Sequence, residues 1–338
     1  MQEKLKEALY YKKLKGGIVQ CQLCPKFCTI KNGERGNCGV RENQNGTLYS
    51  LVYAKACSAN LDPIEKKPFY HFMPGEQVMS LATVGCNLHC KQCQNWQISQ
   101  VRVEYYPSIS LTPEEVVEKT MEAECKIIAY TYTEPTVFYE YMLDIAKLAR
   151  KQGIKNVIVS NGFINPEPLK ELCKYIDAAN IDLKSITDKF YGQVCDGSLQ
   201  PILKAIEILH ENKIWTEITN LIIPGFNDKE SEIKGLVQWV KDLGRSMPLH
   251  FSAFSPTYKL VQCSPTPKEA LIKARQIALK AGLKHVYTGN VDNEEGSTTF
   301  CPKCKKPLIV RQGNYVFKNL IEKGKCKFCN EKIAGVWE

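Results

Sequence analysis

Three cysteines in one short loop carry the clearest chemical signal of this 338-residue chain. Cys86, Cys90 and Cys93 follow the apolar run 78–84 with C-x3-C-x2-C spacing. Three thiolates on one loop can bind three irons of a [4Fe-4S] cube, which leaves the fourth iron free to hold a substrate or cofactor. Ferredoxins and structural zinc sites normally take four protein ligands. The spacing therefore favours a catalytic cluster, and the alternative is a zinc or disulfide knot completed by a distant cysteine.

Two further sets of four cysteines flank this loop. The N-terminal set has C-x2-C-x3-C-x9-C spacing and consists of Cys21, Cys24, Cys28 and Cys38. It can close around zinc or a second iron-sulfur cluster, because four thiolates satisfy both. The C-terminal set forms two C-x2-C knuckles separated by the 21 residues 305–325, and it consists of Cys301, Cys304, Cys326 and Cys329. This second pattern predicts a zinc ribbon.

The middle of the chain has the pattern of an α/β fold with a parallel sheet. Between residues 79 and 290, short β-branched runs alternate with amphipathic stretches. The candidate strands are 78–84, 127–132, 157–160, 180–183, 214–222, 249–254 and 285–287. Helices are expected at 113–124, with Thr112 as N-cap and Glu115 completing a capping box, and at 137–152. Seven strands fall short of a full barrel, so we expect an open, partial (β/α)6-type barrel with small Cys-rich metal-binding segments at both ends.

Polar residues follow several of these strands where they end. Thr133 and Glu134 come after the second strand, Asn161 after the third, and Asp182 and Lys184 close the fourth. In such barrels the chemistry gathers at the carboxyl ends of the strands, so these residues should converge with the cysteine loop. Opposite charges facing a barrel interior are costly unless they are paired or bound by a ligand. The structural alternatives are plain turns after strands two and three, and a simple ion pair that caps the sheet.

Taken together, the long motifs resemble one family, the radical S-adenosylmethionine (SAM) enzyme of the AmmeMemoRadiSam system, which is similar to pyruvate formate-lyase activating enzymes. The resemblance runs from about Cys21 to Asn290. Its motifs are the CxLCPxxCxI-GxRGxCGVR start, the Cys-Asn-Leu-x-Cys-x-x-Cys-Gln-Asn-Trp loop, Tyr130 to Thr136, Asp182-Leu-Lys184, Pro248 to Phe251 and Tyr287 to Asn290.

The resemblance implies a specific chemistry. The amine and carboxylate of SAM would chelate the fourth iron of the cluster, and one electron would split SAM to a 5′-deoxyadenosyl radical that abstracts hydrogen. It also implies that Thr133 and Glu134 bind the methionyl ammonium of SAM, that Asp182 and Lys184 recognise SAM with the lysine on its carboxylate, and that Asn161 approaches SAM. The N-terminal cysteines depart from the activase pattern, in which auxiliary clusters follow the SAM-cluster motif, and this departure argues against an electron relay.

The expected function is hydrogen abstraction from a protein substrate, with AMMECR-type or Memo-type proteins as candidates and a ferredoxin or flavodoxin as reductant. A tRNA- or metabolite-modifying enzyme with the same core is the alternative, and a non-catalytic iron-sulfur or zinc scaffold protein is another. We expect an N-terminal Cys-rich segment over 1–75, the radical SAM partial barrel over 76–292 and a zinc-ribbon-like module over 293–338.

Composition supports a soluble protein of the cytoplasm. The chain is 44% hydrophobic, its charged start lacks the apolar core of a signal peptide, and it has no apolar stretch of membrane-spanning length. Most of its sixteen cysteines fall in metal-type clusters, which favours metal binding in a reducing compartment over disulfides. The net charge of +9 permits an acidic electron donor and does not exclude nucleic acid.

Overall fold

One eight-stranded sheet forms the centre of the protein, in a computed structural model that describes residues 5–338. The first four residues of the segment predicted over 1–75 lie outside the described residues. The strands are β1 (Ser58–Pro63), β2 (Gln77–Ala82), β3 (Ile127–Tyr130), β4 (Lys155–Ser160), β5 (Ala178–Asp182), β6 (Trp215–Ile222), β7 (Leu249–Ala253) and β8 (Val286–Gly289). They lie side by side in chain order, and β2 to β8 are all parallel. The predicted partial barrel is therefore confirmed.

Helices connect the parallel strands as β/α units. They are α1 (Pro113–Glu122), α2 (Tyr139–Lys151), α3 (Pro166–Leu172), α4 (Gln200–Glu211), α5 (Glu230–Leu243) and α6 (Lys268–Ala281). The predicted capping box starts α1: the Thr112 hydroxyl accepts from the Glu115 amide at 3.3 Å, and the Glu115 carboxylate accepts from the Thr112 amide at 2.7 Å. Helix α2 begins two residues later than predicted, because Pro135–Phe138 forms a 3-10 turn before it.

Strand β1 is the element of the sheet that the sequence pattern did not predict. It pairs with β2 antiparallel, although its sequence, Ser-Ala-Asn-Leu-Asp-Pro, has no β-branched residue. A proline that cannot donate a hydrogen bond is tolerated at its end because β1 lies at the edge of the sheet. This strand brings Asp62 and the lysines that follow it to the side of the barrel.

Short strands build the N-terminal part of the chain into two small antiparallel sheets. One sheet is formed by Tyr11–Lys13, Val19–Cys21 and Thr29–Ile30, and the other by Lys6–Glu7, Thr47–Ser50 and Arg41–Gln44. A further strand, Lys55–Ala56, pairs with Ile109–Ser110. Buried side chains of this region, such as Val19, Ile30 and Val40, share one apolar core with the barrel. The N-terminal cysteines are therefore packed against the barrel.

The C-terminal part forms a hairpin and a knuckle that pack on the barrel. Its strands are Thr299–Phe300, Pro307–Gln312, Tyr315–Asn319, Ile321–Glu322 and Lys325–Cys326. Arg311 of the hairpin is buried and reaches across to the barrel side, where it contacts the Glu65 carboxylate at 3.4 Å and donates to the Tyr70 carbonyl at 2.8 Å. A buried cation therefore attaches this module to the segment before β2.

Within residues 5–338, the structure has no helix that is both long and apolar enough to span a membrane.

Candidate cofactor site

A cavity of about 510 Å³ opens at the carboxyl ends of the parallel strands. Seven of the residues predicted for the cluster and its ligand line it: Cys86, Cys90, Cys93, Thr133, Asn161, Asp182 and Lys184. They come from the loop after β2 and from the ends of β3, β4 and β5. The volume is in the range that binds cofactor-sized molecules. The structure thus brings these residues together around one space.

The sulfurs of the cysteine loop do not have the close spacing of a zinc tetrahedron. Zinc binds thiolates at about 2.3 Å, which places the sulfurs of a zinc tetrahedron about 3.8 Å apart. No three of the described sulfurs in this loop lie within 4.8 Å of one another. A cube of four irons binds each thiolate on a different iron and so keeps them further apart. Asn161 Nδ2 and Ser99 Oγ lie within hydrogen-bond distance of Cys86 Sγ (3.8 Å) and Cys93 Sγ (3.1 Å). The residues present therefore fit a [4Fe-4S] cluster.

Asp182 and Lys184 form an ion pair at the wall of the cavity. Lys184 Nζ lies 2.7 Å from Asp182 Oδ2, and the Lys184 carbonyl accepts from Asn227 Nδ2 at 2.6 Å. Burial alone would lower the pKa of Lys184, but the negative charges of Asp182, Cys90 and Cys195 together outweigh it and hold that pKa well above its usual value. The Asp182 side chain is 36% exposed and the Lys184 side chain 14%. The lysine is therefore a fixed cation that faces the space beside the cysteine loop.

Glu134 is the predicted residue that does not line the cavity. Its buried carboxylate accepts hydrogen bonds from Thr136 Oγ1 at 2.7 Å, Ser160 Oγ at 2.8 Å and the Asn161 amide at 2.8 Å. Burial raises the pKa of Glu134, and these donors oppose that shift. Protein donors thus occupy both carboxylate oxygens. Glu134 therefore has a positioning role. By accepting from the Asn161 backbone amide it holds the turn, and the turn directs the Asn161 side-chain amide at Cys86 Sγ.

Sequence reasoning missed a charged cluster beside the same cavity. Lys66 and Lys67 line it, and their Nζ atoms contact Asp62 at 2.6 and 2.8 Å. Lys67 is 2% exposed and lies 4.1 Å from the centre of the Tyr132 ring, and burial lowers its pKa to about 8. The segment Glu65-Lys-Lys-Pro68 has the composition of a solvated charge run, so its burial could not be predicted from the residue types.

A fourth cysteine lies beside the loop. Cys195, which belongs to none of the three cysteine sets, interacts with Cys90 and accepts from Gln92 Nε2 at 3.8 Å. Its carbonyl also accepts from the His89 amide at 2.9 Å, so the segment after β5 fixes the loop. A lone cysteine carries no pattern of its own in a sequence, so only the structure could reveal this contact.

The two flanking cysteine sets differ in geometry. The C-terminal sulfurs all lie within 4.8 Å of one another, with Cys301 and Cys329 at 3.6 Å and Cys304 and Cys326 at 3.7 Å. That spacing matches a zinc tetrahedron. The N-terminal cysteines Cys21, Cys24, Cys28 and Cys38 all line one small cavity, and Arg41 lines it with them.

Comparison with known proteins identifies relatives of the chain. Residues 80–240 match the family model described as the radical SAM superfamily. An uncharacterised protein of Methanocaldococcus jannaschii is 49% identical over 335 residues, covering 97% of this chain and 99% of that protein. The pyruvate formate-lyase 1-activating enzyme of Escherichia coli is 22% identical over 218 residues, covering 60% of this chain and 89% of that enzyme.

The fold likeness extends to solved structures. A radical SAM methyltransferase from Sphaerobacter thermophilus superposes with a TM-score of 0.52 at 14% identity, covering 64% of this chain and 67% of that one. At this identity the likeness concerns the fold alone. The family match itself spans the cysteine loop and the ends of β3 to β5, which are the elements that build the cavity.

Proposed function

Because the chain belongs to the radical SAM superfamily and is homologous to pyruvate formate-lyase activating enzymes, we propose that it abstracts hydrogen from a protein substrate. The observation that carries this proposal is the meeting of the cysteine loop and the Asp182–Lys184 pair in one cavity. The family implies SAM and a [4Fe-4S] cluster, which when reduced supplies the electron that cleaves SAM to a 5′-deoxyadenosyl radical. The protein binds, orients and shields these groups.

Different side chains around the cavity bind the cluster and SAM. Cys86, Cys90 and Cys93 hold the cluster, and Lys184 binds the carboxylate of SAM. The Thr133 hydroxyl donates to the Thr83 carbonyl at 2.8 Å, so its own oxygen remains an acceptor for the methionyl ammonium. Asn161, held by Glu134, donates to Cys86 and stabilises charge on that sulfur.

Lys184→Met tests the proposed contact with the SAM carboxylate. A hydrogen bond to a charged group is worth about 1.5–3 kcal/mol, so we expect the Kd for SAM to rise about 10- to 150-fold. The measurement is SAM binding to the cluster-loaded protein by equilibrium dialysis. Lys174→Met is the matched control, because Lys174 makes a similar 2.6 Å ion pair with Glu171 on the surface. An unchanged affinity in Lys184→Met would remove the lysine from SAM binding.

A protein substrate is supported by the size of the opening. The cofactor cavity adjoins a second one of about 840 Å³, and both are lined by Lys66, Ser252 and Asn290. The far wall of the second cavity is the C-terminal hairpin, where Phe317 is 76% exposed. A narrow closed mouth would suit a small metabolite. This wide double cavity instead has room for a peptide segment, and the E. coli relative is by its name an activator of another enzyme.

Deuterium transfer tests the protein substrate directly. AMMECR-type and Memo-type proteins are the proposed partners, and a ferredoxin or flavodoxin is the proposed reductant. Each partner is produced in fully deuterated form and incubated with the reduced enzyme and SAM. We expect deuterium in the released 5′-deoxyadenosine, measured by mass spectrometry, and none when the partner is unlabelled. Undeuterated 5′-deoxyadenosine with every labelled partner would contradict the choice of these substrates.

A further inference from the structure

The sulfurs of the N-terminal cysteine set do not have the close spacing of a zinc tetrahedron. As in the loop after β2, no three of these described sulfurs lie within 4.8 Å of one another, whereas the four C-terminal sulfurs all do. One structure thus contains both arrangements, and the C-terminal ribbon serves as an internal reference for zinc. Sulfurs too far apart to share one zinc ion suit a cube, in which each binds a different iron.

A buried cation points into the same cavity. Arg41 is 1% exposed and lines the cavity with the four cysteines. Its Nη1 donates to Cys21 Sγ at 3.6 Å, and its Nη2 pairs with Glu140. Its Nε is buried and has no hydrogen-bond partner among the described residues. Oε2 of Glu140 also has no hydrogen-bond partner among these residues, so Nε belongs to the Glu140 ion pair and Nη1 is the donor that reaches the cysteines. A buried guanidinium donor beside Cys21 fits an anionic ligand, such as a cluster held by four thiolates.

The cavity lies against the loop that carries the first cluster. A Cβ added to Gly85 would lie 3.0 Å from the Cys38 carbonyl oxygen and 2.6 Å from Val40 Cγ1, so the two backbones touch where only glycine fits. His89 Nε2 lies 3.0 Å from Asn37 Oδ1. Asn87 lines the N-terminal cavity and is the neighbour of Cys86. The two cysteine sets are therefore joined by direct contacts.

We propose that Cys21, Cys24, Cys28 and Cys38 bind a second iron-sulfur cluster of the [4Fe-4S] type and hold it beside the first. The assignment of an iron-sulfur cluster to these four cysteines does not depend on the proposed function. Its role rests on that function: the second cluster takes one electron from a reduced ferredoxin or flavodoxin and returns to its oxidised state as the first cluster is reduced by that electron. Although the cysteines precede the first cluster in sequence, their contacts in space suit such a relay.

Counting metals in the intact protein tests this assignment. Two cubes hold four irons each, so the anaerobically reconstituted chain should contain about eight irons, about eight sulfides and one zinc. About four irons and two zincs per chain would overturn the proposal. The metal count does not depend on SAM cleavage, so the two proposals can fail separately. Protein that cleaves SAM but holds two zincs would contradict only the second cluster. Protein that holds eight irons but does not cleave SAM would contradict only the proposed function.

Variants locate each metal. Removing the first cluster with Cys86→Ala, Cys90→Ala and Cys93→Ala together should leave about four irons per chain. The matched control, Cys301→Ser with Cys304→Ser, should lose zinc and keep all the iron. Loss of all iron from the triple variant would overturn the proposal. If that variant does not fold, the wild-type count decides.

Electron paramagnetic resonance tests the closeness of the two clusters. Dithionite-reduced wild type should give signals broadened by magnetic coupling between them, and the triple variant should give one unbroadened signal. A wild-type spectrum without coupling would overturn the relay.

Discussion

Alanine at Cys86, Cys90 or Cys93 is expected to reduce 5′-deoxyadenosine formation to the level seen without protein. Each of these cysteines faces the cofactor cavity, and the loop offers three thiolates for three irons, so the loss of one leaves a second iron of the cube without a protein ligand. We expect the variants to lose most of the iron of this site as well. The measurements are iron content and 5′-deoxyadenosine released under reducing conditions.

Cys125→Ala is the matched control for these variants. Cys125 is buried, as Cys90 is, but it lies between α1 and β3, away from the cavity. We expect this variant to retain its iron and its rate. Full iron content and a wild-type rate in any of the three loop variants would contradict the assignment of that cysteine as a ligand.

Arg311→Leu is expected to destabilise the protein more than any other change at the C-terminal hairpin. Its guanidinium is fully buried, faces Glu65, and lies 4.0 Å from the centre of the Tyr70 ring. Breaking a buried ion pair from one side costs about 3–5 kcal/mol, because the remaining charge stays buried without a partner. For a chain of this length that corresponds to a Tm lowered by about 4–7 °C, measured by differential scanning calorimetry.

Two further variants make this prediction specific. Arg311→Leu combined with Glu65→Leu should recover much of the loss, because an apolar pair can replace a buried ion pair. Arg102→Leu, at an exposed arginine, should change the free energy of unfolding by less than about 0.5 kcal/mol. Equal Tm values for Arg311→Leu and Arg102→Leu would show that the buried pair does not anchor the hairpin.

The parallel sheet could be predicted from sequence because its strands are buried on both faces. Such strands appear as runs rich in apolar and β-branched residues, and all seven were found with ends within two residues of those observed. The helix N-terminus at Thr112 could also be predicted, because a capping box is a local sequence pattern. Strand β1 was missed because an edge strand with a terminal proline lacks that apolar signal.

The candidate site was predictable only in part, for a related reason. Parallel strands bring their carboxyl ends to one edge, so residues after β3, β4 and β5 could be expected to meet. Whether a side chain faces the cavity depends on its partners: Glu134 turns away to accept protein donors, while Lys67 is buried by pairing with Asp62. The contact of the N-terminal cysteines with the first loop depends on tertiary packing at Gly85, which no spacing encodes.

The most direct test of radical SAM activity is 5′-deoxyadenosine release from SAM by the anaerobically reconstituted, dithionite-reduced protein. We expect release that depends on the reductant and disappears in Cys90→Ala. No release above that of the unreduced protein, from a protein whose cluster is shown by spectroscopy to be reduced, would contradict the account and favour a non-catalytic scaffold.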